Sequence, residues 1–335
     1  MKKICIGIIG VGRIGKIHLN NLSNHFKSIE IGAISDIDEK KEKLCKDYGI
    51  NKFYKSYKNL VLDKAIDAIL ICSPTNLHSE QIIFSAKHGK DIFCEKPVDL
   101  SLEKTKKVLK IINKTKIKFM IGFNRRFDPD FMQVKKMICN GKIGKVQIIK
   151  ITSRDPNPPS INYIKNSGGL FIDMAIHDFD MACNMANDKV REIYSTGNAI
   201  NKKINQVGDI DTALTTLKFE NGIICAIDNS RKSAYGYDQR IEIFGSKGMC
   251  GITKKNDKTT FLINGKGIKT PFPKDFFITR YKQAYINEMK EFINCLMNNN
   301  IPSVGIKNAI MSIKIALAAK LSYTENKKVE LREIS

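Results

Sequence analysis

The chain opens on Ile4-Cys5-Ile6-Gly7-Ile8-Ile9-Gly10-Val11-Gly12-Arg13-Ile14-Gly15. The apolar run predicts a buried strand over 3–9, and it is too short and too quickly followed by glycine to read as a secretory leader. By itself, G-x-G-x-x-G predicts only a tight turn. Between a strand and a helix-forming stretch it marks the first βα turn of a dinucleotide-binding unit. There the glycines allow the turn, the close approach of a pyrophosphate and tight helix packing, and the helix N-terminus receives the phosphate charge. The next strand ends at Asp36, 21 residues beyond Gly15. A carboxylate at that place holds the adenosine ribose hydroxyls and repels a 2′-phosphate. Ile37, not arginine, follows it, so the expected cofactor is NAD rather than NADP.

Working outward, strand-like segments at 3–9, 30–35, 52–54, 68–72, 91–95 and 118–123 alternate with helix-like ones at Asp38–Tyr48, Asn76–Lys87 and Leu102–Thr115. Such alternation predicts a parallel sheet with helices on both faces, and six strands match the doubly wound Rossmann fold. After about residue 125 the pattern changes. A helix at 128–140, a strand at 144–153 and a helix from about 169 to 186 precede strands at 191–199, 212–219, 223–229, 239–245, 248–253 and 259–263. Two helices, near 279–298 and 305–322, close the chain. Asp155-Pro156-Asn157-Pro158-Pro159 interrupts regular structure. The expectation is an α/β protein: a Rossmann domain over 1–125, then an α+β domain over 126–335 built on a mainly antiparallel open sheet.

Composition narrows the function classes. The 335 residues suit two domains, and no apolar run reaches the length of a membrane span. The nine cysteines are dispersed, which excludes CxxC pairs and compact zinc knuckles and fits free thiols in a reducing cytoplasm. The net charge of +22 comes mostly from lysine scattered through both halves. A nucleic-acid binder gathers its basic residues into a patch, often with arginine, so the charge reads as a solvated surface and no nucleic-acid partner is expected.

Chemistry-bearing residues fall at strand ends. Ser73-Pro74-Thr75-Asn76 follows the strand at 68–72, where a doubly wound sheet meets its ligands. An ordinary turn with a helix cap is the plainer reading of the same residues. Glu95-Lys96-Pro97 follows the strand at 91–95. A lysine there can hold a substrate hydroxyl and stabilise developing alkoxide charge, while proline fixes the turn that aims it. Taken alone, Lys96 reads as one more surface lysine. Further on stands Gly168-Gly169-Leu170-Phe171-Ile172-Asp173-Met174-Ala175-Ile176-His177-Asp178. As one continuous helix it would put Asp173 and His177 four apart on one face, with β-carbons roughly 6 Å apart. A histidine suits proton removal from a hydroxyl as hydride leaves the same carbon. With five histidines in the chain and no third ligand in sight, no metal is expected.

These segments, in this order, resemble the glucose–fructose oxidoreductase/inositol dehydrogenase/rhizopine-catabolism family over essentially the whole chain. Within it, the inositol 2-dehydrogenase branch is most similar, on Gly122-Phe123-Asn124-Arg125-Arg126-Phe127-Asp128, Ser153-Arg154-Asp155-Pro156, Tyr163-Ile164-Lys165, Ile176 to Ala182, and Asp228 to Arg240. The resemblance implies a catalytic Lys96, Asp173 and His177, with Arg125, Asp155 and Tyr235 as further substrate contacts. For the cofactor it implies Gly10, Gly12, Arg13, Ile14, Gly15, Asp36, Ser73, Thr75, Asn76, Glu95 and Lys96. It further implies oxidation of myo-inositol or a close isomer to a 2-keto-inositol, a cytoplasmic homotetramer, and a second-domain sheet face used in assembly. The same chemistry on scyllo-inositol, an aldose or a sugar nucleotide is the nearest alternative. A non-catalytic NAD sensor is remote, because it needs no lysine, aspartate and histidine together. One departure is Cys183, where the inositol enzymes tend to carry arginine.

Overall fold

A computed structural model describes residues 3–253, 262–264, 267–269 and 276–335. The chain forms two compact units, Met1–Phe127 with Gln283–Met311, and Asp128–Lys282 with Ser312–Ser335.

The first unit is a six-stranded parallel sheet: β1 (Ile4–Ile9), β2 (Ile29–Ser35), β3 (Lys52–Tyr54), β4 (Ala68–Ile71), β5 (Asp91–Glu95) and β6 (Phe119–Gly122), in spatial order β3-β2-β1-β4-β5-β6. This is the doubly wound arrangement with its order reversing at β1. The central strands are apolar on both faces because helices cover both; Ile6, Ile8, Ile69, Leu70 and Phe93 are wholly buried. Helices Arg13–His25, Thr75–Lys87 and Leu102–Thr115 are crossovers, and the last starts at Ser101, whose side chain caps Lys104. The stretch expected as one helix over Asp38–Tyr48 is a 3-10 turn at Glu39–Glu42 running into a helix at Lys43–Tyr48.

One expectation about the domains needs correcting. Residues 283–311, read from sequence as part of the second domain, belong to the first unit. The cause is aromatic packing: on helix Lys282–Asn298, Tyr285 meets the His18 ring edge-on and Phe292 meets Phe93.

The second unit is built on a seven-stranded sheet: β7 (Val146–Arg154), β8 (Val190–Asn198), β9 (Thr212–Phe219), β10 (Ile224–Ser230), β11 (Asp238–Gly245), β12 (Gly248–Ile252) and, after a small hairpin of β13 (Leu262–Asn264) and β14 (Gly267–Lys269), β15 (Val329–Glu330). The order is β12-β11-β7-β10-β9-β8-β15, antiparallel at every pairing except β10 with β7. Of the strand expected at 259–263, residues 259–261 lie outside the described residues. Burial alternates residue by residue along β9 and, from Gln239 on, along β11, so one face is core and the other meets solvent. The helix Ile176–Ala186 packs on β7. All nine cysteines are free thiols, and no described helix is long and apolar enough to cross a membrane.

Candidate functional site

In the first unit the glycine turn has the shape its spacing predicts. Gly10 has φ +84°, and a β-carbon on it would lie 2.7 Å from the backbone nitrogen of Ser73. A β-carbon on Gly15 would lie 2.0 Å from the carbonyl oxygen of Gly10. Around Gly12 no described atom lies within 4 Å of that position, so the turn is open there. The helix Arg13–His25 begins at Gly12 with no side-chain cap, leaving its first N–H groups for a ligand. Asp36 stands just beyond β2. One carboxylate oxygen accepts from the Val11 N–H at 2.9 Å and the other from the Asp38 N–H at 3.0 Å. The carboxylate therefore braces the turn and retains lone pairs for ribose hydroxyls. An open glycine, an uncapped helix end and a braced acid fit a dinucleotide.

The neighbouring strand ends are tied together. Thr75 and Asn76 open the helix Thr75–Lys87, whose cap position is Pro74; no side chain caps it, so the plain cap reading of this segment does not apply. The Ser73 hydroxyl donates to Gln81 at 2.6 Å. The buried His78 ring sits between the carbonyl oxygens of Ser73 and Pro97, 2.8 Å from each. Burial favours the neutral ring, which donates to only one of these carbonyls at a time. His78 thereby links the loop after β4 to the loop that carries Lys96. The Lys96–Pro97 peptide is cis, and Lys96 is partly exposed. The Glu95 carboxylate turns inward and meets the His18 imidazole at 2.7 Å. Arg125 lies buried in a short 3-10 turn after β6.

In the second unit the structure corrects the expected continuous helix over 169–186. It is two helices, Gly169–Asp173 and Ile176–Ala186. At the junction the Ala175 N–H reaches back five residues to the Leu170 carbonyl, and Asp178 bonds to Ala175 three residues back. This local slip breaks the regular four-residue ladder, so the simple i, i+4 argument for Asp173 and His177 does not hold; such slips recur at functional sites. Even so, Asp173 and His177 are the two residues between Leu170 and Ala182 that are not buried.

Asp173 is held by groups distant in sequence. It accepts from the Tyr163 hydroxyl at 2.9 Å and from the Arg231 guanidinium at 3.2 Å. Arg231 is 1% exposed and also pairs with Asp209 at 3.6 Å. Asp209 in turn accepts from the Leu170 N–H at 3.1 Å, at the start of the first short helix. That approach requires glycine at 169, where φ is +83° and a β-carbon would fall 2.6 Å from the Asp209 carboxylate. Beneath His177, the buried Asp178 accepts from Asn229 of β10 at 2.8 Å.

Asp155 follows β7 and its N–H bonds to Ser230. The Tyr235 hydroxyl accepts from Arg154 and donates to Asp238, both at 2.8 Å. Arg154 also pairs with Asp228 at 2.6 Å, which pushes its pKa further above the ordinary arginine value. Tyr235 therefore belongs to a cross-strand polar row. Tyr163 and Arg231 lie in stretches that carry the family resemblance, but sequence reading gave them no role. Asp209 carried no signal at all.

An open glycine turn on a doubly wound sheet defines a dinucleotide-binding protein, and comparison with known proteins places it among NAD-binding oxidoreductases. Residues 4–123 match the model of an oxidoreductase family NAD-binding Rossmann fold, and residues 131–250 match the GFO/IDH/MocA C-terminal domain. A myo-inositol 2-dehydrogenase of Thermotoga maritima is 41% identical over 98% of this chain and 99% of its own. An inositol 2-dehydrogenase of Rhizobium meliloti is 38% identical over 97% of this chain and 98% of its own. Among solved structures, scyllo-inositol dehydrogenase from Lactobacillus casei with bound NAD(H) and scyllo-inositol superposes with a TM-score of 0.93 at 29% identity, covering 99% of this chain and 100% of that one. The chain belongs to the GFO/IDH/MocA oxidoreductase family, and its cofactor is NAD.

Proposed function

We propose that the protein oxidises a ring hydroxyl of myo-inositol or a close isomer to the 2-keto-inositol. The observation that carries this reading is the pair Asp173 and His177, partly exposed within an otherwise buried stretch, with Asp173 anchored by Tyr163 and Arg231. NAD, when bound, accepts the hydride. His177 takes the hydroxyl proton as the carbon–hydrogen bond breaks, leaving a carbonyl. Lys96 donates a hydrogen bond to the oxygen as it gains alkoxide character. Asp173, fixed by two donors, orients His177 or a second ring hydroxyl. Gly10, Gly12, Arg13, Ile14 and Gly15 receive the pyrophosphate, Asp36 the ribose, and Ser73, Thr75 and Asn76 the rest of the dinucleotide. Arg125, Asp155 and Tyr235 contact further hydroxyls of the polyol.

The names of the two relatives support the cyclitol, and the scyllo-inositol in the Lactobacillus casei structure supports the second reading, the same chemistry on that isomer. The deciding assay is NAD reduction with myo-inositol, scyllo-inositol, D-chiro-inositol and glucose, with NADP in parallel. Rapid reduction with myo-inositol and NAD is expected. Silence with every cyclitol, alongside measurable NAD binding, would transfer the reading to an aldose, a sugar nucleotide or an NAD sensor.

A homotetramer fits the solvent face of the second unit's sheet. Met249, Phe244, Ile148 and Ile224 form one cross-strand row over β12, β11, β7 and β10 and are 61%, 44%, 37% and 50% exposed. An apolar row of that kind is the mark of an assembly surface. A monomer by light scattering at working concentration would remove it.

A further inference from the structure

Three ionisable side chains meet inside the first unit: His18 from helix Arg13–His25, Glu95 at the end of β5, and Glu288 from helix Lys282–Asn298. One nitrogen or oxygen atom from each lies within 4.8 Å of the others. His18 and Glu288 are 0% exposed. His18 meets Glu95 at 2.7 Å, whereas neither carboxyl oxygen of Glu288 has a hydrogen-bond partner among the described residues. A cluster of this composition could hold either a metal ion or a proton. The short contact decides between them. Two ligands on one tetrahedral zinc ion at its usual bond lengths stand about 3.3 Å apart. A nitrogen and an oxygen at 2.7 Å instead share a proton.

An ionised Glu288 would be a second carboxylate beside Glu95, fully buried and without a donor, which is among the most costly arrangements in a protein interior. We propose that Glu288 is a neutral carboxylic acid and a positioning residue: it leaves the His18 proton to Glu95, and so fixes the strand end from which Lys96 projects. The last step rests on the role proposed above for Lys96. Burial, and secondarily the charge of Glu95, hold the Glu288 carboxyl well above the usual carboxylate range. The other titratable neighbours are the thiols of Cys72 and Cys94, both pushed up by burial and so neutral, and Tyr285, whose ring packs on His18.

The sign of the pH effect follows. Unfolded, Glu288 ionises in the ordinary carboxylate range; folded, it keeps its proton to higher pH. Between those two values the folded state binds one more proton than the unfolded state, so stability falls as pH rises. Glu288→Gln keeps the shape and removes the titration. Relative to the parent enzyme, its melting temperature should therefore rise between about pH 5 and about pH 8.

The test joins that comparison to infrared difference spectroscopy and kinetics. At neutral pH the parent-minus-Glu288→Gln spectrum should contain a protonated-carboxyl band. Glu288→Ala should lower kcat roughly tenfold by misplacing Lys96, and Gln should recover most of that loss. Absence of the band, a Gln variant equally destabilised at both pH values, or a stoichiometric metal in the purified enzyme would overturn the neutral acid. The band with an unchanged kcat in Glu288→Ala would overturn the positioning role alone. If the Ala variant does not fold, the full set of Gln readings decides. The spectrum and the melting curves do not depend on which polyol the enzyme oxidises, so their failure is separable from failure of the proposed reaction.

Discussion

The glycine turn of the first unit and the Asp173–His177 segment of the second are built in opposite ways. The turn is local. Its parts span Ile9 to Gly15, and it works through backbone placement and the exclusion of side chains, with Ser35 and Asp36 bracing it from the end of β2. The Asp173–His177 segment is assembled from side chains. Its short first helix gains a polar partner at its start only because Asp209 reaches it, and Asp173 is fixed by Tyr163 and Arg231, 10 and 58 residues away. A site defined by what must be absent should fail abruptly when anything is added. A site defined by a network should lose function in steps.

The largest expected effect is at the turn. Gly15→Val puts side-chain atoms where a β-carbon already lies 2.0 Å from a backbone oxygen that no side-chain movement can relieve. No NAD binding should be detectable by calorimetric titration. Near-normal affinity would break the contrast, since the turn would then be adaptable. Next comes His177→Ala, for which we expect kcat to fall roughly a hundred- to ten-thousand-fold, as befits loss of a positioned base. NAD affinity should not change, and unchanged turnover would remove His177 from the mechanism.

Arg231→Met is a smaller change, felt in stability as well as rate. It strands the carboxylates of Asp173 and Asp209 against an apolar side chain, and should cost about 3 kcal/mol in denaturant unfolding. Adding Asp209→Asn should return part of that loss if the network is real. Smallest is Tyr163→Phe, which deletes one hydrogen bond to a carboxylate that keeps another donor. We expect about 1 kcal/mol or less in stability and a modest fall in kcat. A loss equal to that of His177→Ala would mean that Tyr163 takes part in the chemistry rather than in holding Asp173.

The same contrast explains what could be read beforehand. Strand β1, its glycine turn and Asp36 were legible because their information is periodic and short-range: a run of apolar residues, three glycines at fixed spacing, one acid at a strand end. Strands β2 to β6 followed by alternation, and those of the second sheet by β-branched runs between turn signals. The slip at Met174–Ala175 was not legible. Residues 169–186 carry no glycine or proline at the junction, and a helical pattern continues through it. Arg231 was legible as a residue of a family-like stretch but not as the partner of Asp173, because an ion pair over that separation exists only once two strands and two helices are packed.

The sequence by itself determined the doubly wound sheet, its glycine turn and the standing of Asp36 and Lys96 just after strand ends, since local propensity and spacing specify where a strand ends and what stands there. Tertiary structure alone decided that residues 283–311 return to the first unit, that the short helix from Gly169 stops at Asp173, and that Glu288 reaches Glu95 and His18. These are outcomes of packing: aromatic rings and buried charges settle against whatever neighbours the assembled sheets provide, and no pattern along the chain records who those neighbours are.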